Sequence, residues 1–85
     1  MDADSDAAVV VSELVTNAIV HGSPPVTLHV VRNDDKIHIE VRDGNSQFGQ
    51  HDNAALGLRL VEGFCLDWGV THFEAGKFVW ADLPA

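Results

Sequence analysis

The chain has 85 residues, 46% of them hydrophobic and 21% charged, with a formal net charge of −8. That size allows one domain with a thin stability margin. The acidic balance and five scattered basic residues exclude a nucleic-acid backbone or an anionic membrane surface as the natural partner, since both need clustered Lys and Arg.

No apolar run approaches the ~20 residues of a membrane span. The start, Met1-Asp-Ala-Asp-Ser-Asp6, lacks the basic and apolar segments of a signal peptide. The single cysteine, Cys65, cannot form an internal disulfide and suits a reducing compartment. These features predict a cytoplasmic protein.

Asp4 or Ser5 can cap a helix expected from about Asp6 to Val20. Ala7, Val10, Val11, Leu14, Val15, Ala18 and Ile19 form its apolar stripe. Glu13, Asn17 and His21 recur every four residues and so stack in one polar file, expected on the side away from the stripe. His21 near the end suits the helix carbonyls. Gly22 is expected as a left-handed cap, and Ser23-Pro24-Pro25 prevents continuation.

Two strands follow, Val26–Arg32 and Lys36–Asp43, joined by the turn Asn33-Asp34-Asp35. In the second, Ile37, Ile39, Val41 and Asp43 share a face. Asp43 is the one charged member of that row, and a carboxylate there needs a partner. Arg59, Lys36 or a capped turn could each supply one.

Residues 44–53 read as a polar loop long enough to be functional. Asp52 or Asn53 then caps a second helix, Ala54 to about Leu66, with Leu56, Leu60, Val61, Phe64 and Cys65 inward. Gly57 in its first turn has no propensity rationale. It permits close approach of a ligand to a helix start, which is a ready anion site. A second hairpin, Trp68–Glu74 and Lys77–Leu83, closes the chain. Its one face carries Trp68, Val70, Val79, Ala81 and Leu83, and the other carries Thr71, Phe73, Phe78 and Trp80. The expected fold is α+β in the order α-ββ-α-ββ, with two helices on one face of a mostly antiparallel sheet.

The stretch Glu13-Leu-Val-Thr-Asn17-Ala-Ile-Val-His21-Gly22 resembles the N-box of the GHKL (histidine-kinase-like) ATPase superfamily, and more narrowly its bacterial anti-sigma-factor serine/threonine kinase branch. Asp43-Gly44-Asn45 stands where that family has its adenine-binding Asp-x-Gly box. Ala55-Leu-Gly57-Leu58-Arg59-Leu-Val61 resembles its second glycine box, and Trp68-Gly-Val with Gly76-Lys-Phe-Val-Trp80 its closing hairpin.

The resemblance implies a two-layer α/β sandwich of the Bergerat type spanning residues 1–85, short at its N-terminus by a strand and a helix. It implies ATP and Mg²⁺ as cofactors. Glu13 would be the general base, Asn17 the Mg²⁺ ligand, Asp43 the adenine acceptor, and the amides of Gly57, Leu58 and Arg59 the phosphate contacts. A sigma factor or an anti-anti-sigma protein would be the partner. Asn45 and Ala55 replace two of the family's glycines, so a degenerate, non-catalytic module working by protein–protein contact is the alternative. A chain short of the leading strand would expose a sheet edge and the Phe73/Phe78/Trp80 face, which predicts a homo-oligomer.

Overall fold

The computed structural model describes residues 3–45 and 63–85. Within them the order is α1 (Ala3–His21), β1 (Thr27–Arg32), β2 (Lys36–Asp43), β3 (Asp67–Phe73) and β4 (Gly76–Pro84). The fold is α+β, with one helix among the described residues against a four-stranded antiparallel sheet. The expected second helix falls mostly outside the described residues. Its last four positions, Gly63 to Leu66, form a turn that leads into β3.

Each hairpin forms where turn chemistry directs it. Asn33 Oδ1 accepts the amides of Asp35 at 3.0 Å and Lys36 at 2.9 Å, closing the β1–β2 turn as an Asx motif. The hairpins join through β2 and β4, giving the order β1-β2-β4-β3. Register pairs Ile37 with Leu83, Ile39 with Ala81, Val41 with Val79, and Asp43 with Lys77. Partners across an antiparallel pair share a face, so one central row of aliphatic side chains ends in an acid and a base.

Helix α1 covers this row, packing on β2 and β4. Val10, Leu14 and Ala18, at four-residue spacing, are the helix residues of the core, and Ile37, Ile39, Val41, Val79, Ala81 and Leu83 are the sheet residues. Ala7, Val11 and Val15 pack beside them. Ile19 was expected in the stripe but is 68% exposed. It lies a turn beyond Val15, on the flank leading away from the row Val10–Leu14–Ala18. The outer sheet face carries Thr71, Phe73, Phe78 and Trp80, as the alternation predicts. Trp80 lies over Gly69, where a Cβ would come within 2.8 Å of its Nε1.

No helix of the described residues is long and apolar enough to cross a membrane. Leu14 is among the largest fully buried side chains. Leu14→Ala is expected to cost about 2–5 kcal/mol, read as a lower midpoint with unchanged slope in denaturant unfolding.

Candidate functional site

The carboxylate of Asp43 is the centre of the polar architecture. It is 4% exposed, and Lys77 opposite it on β4 is 5% exposed. Lys77 Nζ sits 3.0 Å from Oδ2 and donates to Oδ1 at 3.2 Å. The Asn45 amide donates to Oδ1 at 2.8 Å, so Asp43 also caps the turn that leaves β2. The partner is therefore Lys77, not Lys36, which stands at the opposite end of β2 across from Pro84. Arg59 lies outside the described residues.

Glycines let the backbone close around this carboxylate. A Cβ on Gly22 would come within 2.5 Å of Asp43 Cγ and 2.6 Å of the Ala18 carbonyl oxygen. The backbone of Gly22 is not left-handed, so its expected role as a conformational cap is replaced by a packing role. Any larger residue there would displace the acid. Gly76, which opens β4, likewise admits no Cβ, because the Asp43 carbonyl oxygen occupies that place. The Gly44 amide donates to the Ser23 carbonyl at 2.6 Å, and Asn45 Nδ2 donates to the His21 carbonyl at 3.4 Å. The Asp43-Gly44-Asn45 turn is thereby docked on the C-terminal end of α1.

The polar file of α1 does not point away from the sheet. Glu13 and Asn17 are half-buried, and only His21 is exposed. Both lie three and seven residues beyond Val10, so they border the core instead of opposing it. Asn17 stands one turn before His21, whose carbonyl meets the Asp43 turn, and Glu13 one turn earlier still. The structure brings Asn17, His21 and Asp43 to one end of the molecule, with Glu13 lower on the same helix face. Gly57, Leu58 and Arg59, and most of the expected loop at 44–53, lie outside the described residues.

A second polar cluster, on the outer face, was not singled out by the sequence. His38 Nδ1 is 2.5 Å from Asp82 Oδ1, and its Nε2 is 3.0 Å from Glu40 Oε2. Its ring stacks on Trp80 with centroids 6.1 Å apart. Hydrogen bonding to Glu40, then to Asp82, raises the His38 pKa, while the bond to His38 lowers that of Glu40. Beside them Arg42 lies over Phe78 and Phe73, at 5.1 and 5.9 Å from their centroids. Strand alternation puts His38, Glu40 and Arg42 on one face, but Asp82 joins them only through the β2–β4 register. Cys65 packs against the core, and burial pushes its thiol up to about 11. It is protonated at neutral pH and a poor nucleophile.

No family model, curated protein or solved structure matches the chain.

Two measurements test the electrostatics. Lys77→Met leaves the Asp43 carboxylate buried without its cation, which is expected to cost about 3–5 kcal/mol. The double variant Asp43→Asn/Lys77→Met should recover most of that loss, and denaturant midpoints of the three proteins give the comparison. On the outer face, a raised histidine pKa means the stability it contributes is fully present below the ordinary histidine value and is lost as pH rises through the raised one. Glu40, held low, contributes stability that is lost as pH falls through its lowered range. The midpoint is therefore expected to fall from neutral to mildly alkaline pH in the native protein, with a smaller fall in His38→Gln.

Proposed function

We propose that this chain is an ATP-binding domain of the GHKL type, acting as an anti-sigma-factor-type serine/threonine kinase. In this reading the fold is a Bergerat-type sandwich. The observation that carries the reading is the docking of the Asp43 turn onto the C-terminal end of α1. It joins the buried acid of one motif to the helix that presents Glu13 and Asn17, two motifs that are well separated in sequence.

The chemistry follows from the residue types. Asn17 offers a neutral amide oxygen, suited to Mg²⁺, which takes hard oxygen ligands and retains waters beside phosphates. Glu13 takes the proton of a serine hydroxyl as the hydroxyl oxygen bonds to the γ-phosphorus and ADP leaves. Asp43 accepts the N6 amino hydrogen of adenine. Gly57, Leu58 and Arg59 supply backbone amides to phosphate oxygens. The serine belongs to an anti-anti-sigma partner, and a sigma factor is the other client.

One observation favours a second reading, a non-catalytic module of the same fold working by protein contact. Asp43 already has a buried cation and a backbone donor, so its position is accounted for without a nucleotide.

Titration calorimetry with ATP and Mg²⁺ separates the two. The native chain is expected to bind, and Asp43→Asn to lose binding at least tenfold when measured below its lowered melting midpoint. The reason is local. Lys77 and the Asn45 amide would hold the new carboxamide oxygen, turning its NH₂ group towards the N6 donor. Glu13→Gln should keep binding and lower phosphoryl transfer by about 10²–10⁴-fold. No heat from the native chain would overturn the kinase reading and leave the module.

A further inference from the structure

Among the described residues strand β1 is an edge of the sheet, and every one of its six residues is exposed. Three are aliphatic, with Leu28 at 44%, Val30 at 51% and Val31 at 57% exposure. Of the devices that usually blunt an edge, β1 carries only the charge of Arg32 at its end. Thr27–Arg32 contains no proline and no lysine, and its register with β2 runs unbroken, without a bulge. Such an edge is a template for another strand.

The hydrogen-bond pattern fixes how that strand must lie. The Asn33 amide donates to the Lys36 carbonyl at 3.0 Å, so Asn33 turns its backbone groups towards β2. Antiparallel alternation then turns those of Val31, His29 and Thr27 the same way. The amides and carbonyls of Leu28, Val30 and Arg32 point outwards, away from the sheet. These residues are also the ones on the helix face, because their partners across the ladder are Val41, Ile39 and Ile37.

Charge selects the occupant. The chain carries −8 overall, yet no Asp or Glu occurs from Gly22 to Asn33, and His29 and Arg32 are basic. Two acidic copies can meet at β1 without setting acid against acid, whereas elsewhere their net charges repel.

We propose that β1 is the interface of a symmetric dimer, in which two copies pair antiparallel edge to edge into one continuous eight-stranded sheet. Only outward-facing residues can exchange hydrogen bonds, so an even-numbered residue must oppose an even-numbered one. The two-fold axis is then perpendicular to the sheet, and both α1 helices lie on the same side. The register that matches apolar side chains sets Leu28 against Val30 of the other copy, and Val30 against Leu28. His29 falls on the axis opposite its own mate. Helix α1 reaches towards this edge, since Arg32 Nη1 bonds Asp4 Oδ1 at 2.9 Å. Val11, Val15 and Ile19 continue the Asp4 flank at helical spacing, so the exposed Ile19 borders the same apolar seam. The inference stands apart from the nucleotide reading, because it uses none of the Asp43 site.

Sedimentation velocity on the chain over a range of concentrations tests it. The native protein is expected to show a concentration-dependent dimer. Val30→Lys, a change at an exposed position, should halve the apparent mass to the 9.2 kDa of one chain without altering the thermal melt. The register is read by mild oxidation of His29→Cys in a Cys65→Ser background. A non-hydrogen-bonded antiparallel pair holds its Cα atoms about 4.5 Å apart, within disulfide reach, so a covalent dimer should form. A native monomer at all concentrations would overturn the proposal and leave the edge to a strand of a different chain. So would a dimer that Val30→Lys leaves intact, or cross-linking through Val30→Cys but not His29→Cys.

Discussion

Everything in the described structure depends on the pairing of β2 with β4. Each hairpin closes on its own turn, but an isolated hairpin is marginal in water. The β2–β4 ladder makes one sheet of the two hairpins and a single aliphatic row from Ile37, Ile39, Val41, Val79, Ala81 and Leu83. Val10, Leu14 and Ala18 of α1 then have a surface to bury against. The same register delivers both polar clusters. It sets Lys77 against Asp43 on the covered face and Asp82 against His38 on the open one. A one-residue slip of β4 would turn Val79, Ala81 and Leu83 to the outer face and leave Asp43 in the core without Lys77.

That dependence explains what was legible in the sequence. Both hairpins, the first helix and the facing of nearly every strand residue follow from local period and turn residues. The strand Lys36–Asp43 has the bounds that alternation predicts. Asp43 stands out as a buried acid for the same reason. Its partner was not legible, because Lys77 is brought to it by a non-local ladder that no periodicity encodes. Asp82 is hidden from a sequence reading of His38 in the same way. Gly22 looked like a conformational cap, since glycine after a helix usually is one. Its actual constraint is an acid from a distant strand. The polar file was misplaced around the helix because a seven-member apolar stripe suggests a wide buried face. A narrow sheet buries only its middle row fully, which leaves Ile19 outside and draws Glu13 and Asn17 to the border.

The two faces of the sheet handle charge differently. On the covered face, one acid and one base are almost fully withdrawn from water, where an ion pair gains little net stability but a lone partner is costly. Such a pair serves register, because it is satisfied in one alignment of β2 and β4. On the open face, His38, Glu40, Asp82 and Arg42 remain partly solvated, so their attraction is screened and contributes little individually. Titrating the open cluster adjusts stability with pH. Removing a member of the covered pair threatens the fold.

The covered pair also bears on nucleotide binding. A carboxylate has about four acceptor sites. Among the described residues, the Asn45 amide and Lys77 donate to Oδ1 of Asp43, and Lys77 Nζ also lies 3.0 Å from Oδ2. On the nucleotide reading, Oδ2 is where a further donor would bind. An adenine amino group there would add a third partner without displacing Lys77. On that reading, then, Lys77 holds the Asp43 carboxylate in place to accept. The structural and ligand-binding roles of the acid do not compete on that reading, because the pair that fixes the register of β2 and β4 also positions the acceptor.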